Sequence, residues 1–328
     1  MTSKRPSPSS LFEKADLSGQ VFFLTGGTSG IGRETARSLA LKNATVVIAS
    51  RDSIQAGSLI QEVKHSKLDA KIEFLELDLS DLVSVQECAD SFLSRYSFLH
   101  CLILNAGVFN PVHRITDDDF ESTFQINYMS QAYLAHQLIP ALRNGAPSRL
   151  VVVSCEHYKG LGGKLPVNKV TWRHLSPTHK LYFNSAPYAY GLSKLCLMLF
   201  SYQFNRTYAG QGIISNIVDP GTCRNTNLYK NSKVASLFYK LKHPFRQNVT
   251  RGAAKVVYCA LEKDVSNSGG KFFRDFRQAR PPNRASNSQV AQLLWSRTEF
   301  MIQMFLERLK NKDHRSNFDR NHGNRVTL

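Results

Sequence analysis

The sequence has no run of about 18 or more apolar residues, the length a membrane-crossing helix needs, so no membrane span is expected in its 328 residues. Its first stretch, "MTSKRPSPSSLFEKADLSGQ", holds no apolar core that could act as a secretory signal. Cysteine is scarce, with 6 in all. These stand apart at Cys88, Cys101, Cys155, Cys196, Cys223 and Cys259, with no C-x-x-C pair and no cluster with histidine. That argues against a structural metal site or a disulfide framework and for a reducing, cytoplasmic setting. The triplets "NAT", "NRT" and "NVT" are then chance matches to the glycosylation pattern. Acidic residues are also short: 25 Asp and Glu against 42 Lys and Arg, for a net charge of +17. Such an excess suits an anionic partner, whether nucleic acid, an anionic membrane surface or a phosphorylated cofactor. Basic and aromatic residues do not interleave as in RNA- or DNA-binding segments, so no nucleic-acid partner is expected. The charge is densest at residues 230–246 and in the C-terminal tail.

What the sequence does have is alternation. "VFFLT" (21–25), "ATVVIAS" (44–50), "KIEFLELD" (71–78), "LHCLILN" (99–105), "SRLVVVSC" (148–155) and "GIISNIVDP" (212–220) read as apolar strands, with "GKFFR" (270–274) a seventh candidate. Helical patterns separate them, including a long one over 117–144, one ending near Tyr208 and a last one over 289–310. Near-continuous apolar strands alternating with helices predict an α/β, doubly wound (Rossmann) parallel sheet of about seven strands with helices on both faces. The expected organisation is a disordered segment over 1–18, one domain over 19–310 and a disordered basic tail over 311–328.

Between the first strand and the first helix lies "TGGTSGIG" (25–32), with glycines at 26, 30 and 32. Glycine is needed in such a turn where φ is positive or where a Cβ would bar a pyrophosphate. The helix that follows turns its free N–H groups toward the anion. At the end of the second strand, "IASRDS" puts Arg51 after Ser50, where an acidic residue would meet a free 2′-hydroxyl. A guanidinium binds a 2′-phosphate that a carboxylate would repel. The reading is therefore NADP(H) rather than NAD(H), with Asp52 the residue that speaks against it and Arg33 a second phosphate candidate. In "PYAYGLSK" (187–194), i,i+4 spacing pairs Tyr190 with Lys194 and leaves Tyr188 aside. A fixed ammonium nearby favours a phenolate, whose ordinary pKa is about 10.

Together these motifs resemble the short-chain dehydrogenase/reductase family, from about Gln20 to at least Thr226. "TGGTSGIG" is similar to its T-G-x-x-x-G-x-G motif, "LNAG" (104–107) to its N-A-G motif and "YGLSK" to its Y-x-x-x-K. Asn127 in "FQINYMS" falls at the family's active-site asparagine, and "DPG" (219–221) at its P-G turn beside the nicotinamide. A long insert ahead of Tyr190, with "HLSPT", "AYGLSKLC" and "GAAKVVYCA", looks like the branch of retinol dehydrogenases and WW domain-containing oxidoreductases. Trp172 and Trp295 are far apart, so no paired-tryptophan WW module is expected, nor the N-terminal anchor of many retinol dehydrogenases.

The resemblance implies hydride transfer between nicotinamide C4 and a carbonyl or alcohol carbon. It implies Tyr190 as the acid/base, Lys194 on the ribose hydroxyls and Asn127 positioning a relay water. Implied cofactor contacts are Gly26, Thr28, Ser29, Gly30, Ile31, Gly32, Arg51, Asp78, Leu79, Asn105, Ala106, Gly107, Tyr190, Lys194, Pro220 and Gly221. One position departs. The fifth strand ends "VVVSCEH", and where the family commonly has a second, catalytic serine this chain has Cys155. Neighbouring strand residues face opposite sides, so Ser154 cannot simply take over. A thiol is larger and a weaker donor, and losing such a donor costs about 10²–10³ in turnover. Slow turnover with the thiol, a strand end that twists to present Ser154, and cofactor binding for another purpose all stay open.

Residues 222–248 correspond to the family's variable substrate segment and mix Leu228, Leu237, Phe238, Tyr239 and Phe245 with lysines. That suits a hydrophobic carbonyl or alcohol, retinoid- or steroid-like, or contact with an anionic membrane, and equally an amphipathic helix closing the core. Pairing into a homodimer through the last helices is a further expectation from the family. Two functional readings result: an NADP(H)-dependent oxidoreductase, or a cofactor-binding interaction and regulatory protein in which Cys155 impairs catalysis.

Overall fold

The computed structural model describes residues 15–110, 112–155, 175–176, 186–223, 247–262, 265, 268–281, 285 and 287–323, with side chains up to 311. Most of the insert ahead of Tyr190, Trp172, the basic patch at 230–246 and most of the segment at 222–248 lie outside the described residues.

Strands β1 (Val21–Thr25), β2 (Thr45–Ser50), β3 (Ile72–Glu76), β4 (Cys101–Leu104), β5 (Ser148–Val153), β6 (Ile213–Asp219), β7 (Phe272–Arg274) and β8 (Arg277–Ala279) form one sheet in the order β3-β2-β1-β4-β5-β6-β7-β8. Pairings from β3 through β7 are parallel; β8 closes the edge antiparallel. The sequence pattern omits β8 because three residues reading Arg-Gln-Ala carry no apolar alternation.

Side-chain alternation explains why both faces of the sheet are covered. Phe23, Val47, Leu102 and Leu150 point into one core, while Phe22, Val46, Ile103 and Val151 point into the other. The second core is closed by α1 (Gly30–Ala40), α2 (Ser53–Ser66) and α7 (Val249–Leu261). The first is closed by α3 (Leu82–Leu93), the composite α4 (Ser122–Gln137), α6 (Ala186–Tyr208) and α8 (Ser288–Gly323).

Three expected boundaries shift. The helix expected over 117–144 begins at Ser122 and is not uniform: α4 joins Ser122–Phe124, a π turn Gln125–Met129 and Ser130–Gln137. Pro140 then enforces a fresh start at α5 (Ile139–Asn144), because proline is tolerated only in a first turn. The last helix runs past 310 to Gly323, since the sequence from 311 to 322 has neither glycine nor proline to stop it. At the other end Leu17, expected in the disordered segment, is buried in the second core. No helix among the described residues is long and apolar enough to cross a membrane.

The strand order reverses between β1 and β4, the switch point beyond whose carboxyl strand ends sheets of this kind bind their ligands. Those ends carry the glycine turn, Ser50, the N-A-G segment, Cys155 and the P-G turn to one edge of the sheet.

Candidate active site

Gly26 and Gly30 adopt φ of +68° and +54°, which side chains rarely permit. At Gly32 a Cβ would overlap the carbonyl oxygen of Gly26 and crowd Asn105 Nδ2, and at Gly26 it would lie 2.9 Å from Ala106 Cα. The turn therefore packs too closely on its own backbone and on the N-A-G segment to admit a side chain at either position. Ser29 precedes α1 in extended conformation and makes no side-chain capping bond, so the first N–H groups of the helix stay available to an anion. These features fit the pyrophosphate of a dinucleotide. Thr28 is buried, and Ile31 packs on the second core beside Gly252.

Asn105 serves the turn from behind. Its Nδ2 donates to Thr25 O (3.1 Å) and Gly26 O (3.2 Å), while the Asn105 and Ala106 amides donate to Thr25 Oγ1. Thr25 Oγ1 in turn donates to Gln131 Oε1 (3.0 Å), so α4 braces the glycine turn.

At the end of β2, Arg51 is exposed and its Nη1 stands 3.8 Å from Asp78 Oδ1. Asp78 Oδ1 also accepts from the Ser80 amide and hydroxyl. Leu79 is buried, and its carbonyl accepts from Ser130 Oγ. Asp52 does not face this edge as a free carboxylate; it caps α2 by accepting from Gln55 N (2.9 Å). Arg33 pairs with Glu62 at 2.8 Å.

Tyr190 and Lys194 sit one turn apart on α6, both buried, with the ammonium 5.9 Å from the tyrosine ring centroid. Lys194 Nζ donates to Val153 O (3.2 Å) at the end of β5. Burial pushes the lysine below its ordinary pKa, and a charge on Cys155 would oppose that. A Cβ on Gly107 would lie 3.1 Å from this ammonium, so the glycine of the N-A-G segment gives it room. Cys155 Sγ donates toward Tyr190 OH across 3.7 Å. Ser154 is turned away: it is buried, and its hydroxyl donates to Lys194 O (3.3 Å). Of the arrangements left open by sequence, a strand end twisted to present Ser154 is excluded. Tyr188 packs half-buried against the first core, and burial raises its pKa.

Asn127 lies in the π turn of α4, fully buried. Its Oδ1 accepts from Val108 N (2.7 Å), and its Nδ2 donates to Val108 O and to Ser193 Oγ (both 3.0 Å). Ser193 donates onward to Tyr190 O (2.8 Å), linking the asparagine to the tyrosine's own turn. Sequence reading passed over Ser193, which sits inside "YGLSK" unremarked, and Phe109, whose ring meets Tyr190 edge-on at 5.9 Å. Pro220 and Gly221 follow β6, with Gly221 at φ +77° and its amide donating to Asp219 Oδ1 (2.8 Å).

A family model of short chain dehydrogenases matches residues 20–161. The WW domain-containing oxidoreductase of Gallus gallus is 38% identical over 298 residues, covering 91% of this chain and 72% of that protein. Retinol dehydrogenase 12 of Homo sapiens is 34% identical over 281 residues, 85% of each. Among solved structures, the Pseudomonas aeruginosa RhlG/NADP active-site complex superimposes with a TM-score of 0.61 at 22% identity, over 78% of this chain and 94% of that one; this likeness is one of fold.

Proposed function

The chain belongs to the short-chain dehydrogenase/reductase family, and from that premise we propose that it is an NADP(H)-dependent oxidoreductase interconverting a carbonyl and an alcohol on a hydrophobic small molecule. The single observation that carries this reading is the convergence of the Tyr190 hydroxyl, the Cys155 thiol and the buried Lys194 ammonium at the carboxyl end of β5.

The cofactor, when bound, supplies or accepts the hydride. In the reduction direction Tyr190 gives its phenolic proton to the substrate oxygen. Lys194, fixed by Val153 O and relieved of crowding by Gly107, favours the phenolate that results and would hold the ribose hydroxyls of a bound cofactor. Asn127 fixes the Val108 backbone and, through Ser193, the turn that carries Tyr190. Cys155 offers a weak S–H donor to the substrate oxygen where a hydroxyl would be stronger. Phe109, Cys155 and Ala186 surround the tyrosine with apolar surface, which suits a retinoid- or steroid-like substrate. The relationship to retinol dehydrogenase 12 supports the same substrate class. Arg51 supports the phosphorylated cofactor, because Asp52, the nearest carboxylate in sequence, is occupied as a helix cap.

A second reading rests on Cys155 alone: a cofactor-binding regulatory protein whose chemistry is weakened at one atom. NADPH oxidation with a panel of hydrophobic aldehydes and ketones separates the two. The parent should turn over, Cys155→Ser should be faster by about 10²-fold, and Tyr190→Phe should be inactive. Turnover only in Cys155→Ser would favour the second reading, and a Tyr190→Phe variant as active as the parent would refute the mechanism.

A further inference from the structure

We infer that Lys255 is a positioning residue for the cofactor: its ammonium, held by Asp275 of the β7–β8 turn, fixes the Pro220–Gly221 turn at the nicotinamide end of the site. The inference rests on the oxidoreductase reading, in which that turn lines the cofactor.

Lysine is seldom buried, because an ammonium out of water is costly unless paired and hydrogen-bonded. Lys255, on α7, is 3% exposed. Its Nζ reaches three acceptors: Pro220 O at 3.1 Å, Gln247 Oε1 at 3.1 Å and Asp275 Oδ1 at 2.8 Å. An ammonium has three protons to give, so this charge is committed inside the protein rather than offered to a ligand. Gln247 Nε2 donates to the same Pro220 carbonyl.

The carboxylate comes at some strain. Asp275 and Phe276 both lie in the left-handed region, at φ of 48° and 61°, which residues other than glycine disfavour. A turn of Asn and Gly would close the β7–β8 hairpin with less strain but would present no charge to Lys255. The other side of the P-G turn is tied as well: Asp219 Oδ1 accepts from Gly221 N at 2.8 Å, and Arg274 Nε stands 3.5 Å from Asp219 Oδ2. Gly221 completes the fit, since a Cβ there would lie 2.5 Å from Gln247 Nε2 and 3.2 Å from Lys255 Nζ. Both polar ends of the turn are thus fixed from behind, by groups on β6, α7 and the β7–β8 hairpin. Lys255 touches no reacting atom; it acts through the turn.

The test uses NADPH and NADH fluorescence titrations together with thermal unfolding. Lys255→Met should weaken NADPH binding about tenfold and lower Tm. The double variant Lys255→Met/Asp275→Leu removes both charges, and should recover Tm while keeping the tenfold loss of affinity. Asp275→Asn retains an acceptor at a partly exposed site, and should lose about threefold without unfolding, which serves if Lys255→Met does not fold. Parent affinity in Lys255→Met or Asp275→Asn, or recovery of affinity together with Tm in the double variant, would overturn the inference and leave the oxidoreductase reading intact. A parent that binds neither dinucleotide would overturn both.

Discussion

Ser154 and Cys155 are adjacent, yet only the thiol reaches the Tyr190 hydroxyl, while the serine hydroxyl is spent on the α6 backbone. Both residues lie just beyond β5, so the way the chain leaves the strand against α6 decides which side chain meets the tyrosine. Ser154→Ala should accordingly leave the pH dependence of turnover unchanged, unlike substitutions at Cys155. Arg51 is the residue on which cofactor choice turns. Exposed and only loosely paired with Asp78 at 3.8 Å, it has a guanidinium face to offer a 2′-phosphate. Arg51→Ala should weaken NADPH binding about tenfold, as expected for one charged hydrogen bond, and leave NADH binding nearly unchanged. Equal losses in the two titrations would refute the assignment. Arg33, the other guanidinium suggested by sequence, is paired with Glu62, and its substitution should matter less.

Among the elements, the β1–α1 turn was the most legible, because its chemistry is backbone chemistry. Three glycines in fixed spacing already say that side chains are unwelcome, and the crowding at Gly32 shows why. Gly32→Ala should destabilise the fold by about 1–3 kcal/mol, seen as a lower urea midpoint, and should abolish dinucleotide binding. The composite helix α4 was the least legible. Its apolar pattern reads as one long helix, whereas the π turn that places Asn127 depends on Ser130 N bonding back to Gln125 O, a choice made by packing. The β7–β8 hairpin escaped notice for a related reason. Its second strand is short and polar, and its turn lacks glycine, yet it supplies the carboxylate behind the P-G turn.

At the scale of the whole molecule, the first core joins α4, α6 and α8 through an aromatic cluster in which His136 lies 4.7 Å from the Trp295 ring and 5.9 Å from Phe200. Burial lowers the His136 pKa from 6.5 to about 4, and among the described residues its Nε2 has no hydrogen-bond partner. The unfolded chain therefore binds a proton before the folded one does. This contribution is intact above about pH 6.5 and is lost as the pH falls toward 4. Between pH 7 and pH 5 the parent should lose about 2 kcal/mol more in urea unfolding than His136→Leu. Equal pH slopes for the two proteins would contradict that account.

Resemblance to the family marked the departure at Cys155, whereas the sequence alone determined the doubly wound sheet, the glycine turn and the pairing of Tyr190 with Lys194. Each is written in periodicity or in residues a few positions apart, where local sterics and helical or strand geometry suffice. The tertiary structure decided that the Cys155 thiol, and not the Ser154 hydroxyl, reaches the Tyr190 hydroxyl. It also decided that Asn105 braces the turn from behind, and that a lysine on α7 and an aspartate from a strained hairpin hold the P-G turn. Those contacts join residues far apart in the chain, brought together only when the parallel strands present their carboxyl ends along one edge of the sheet.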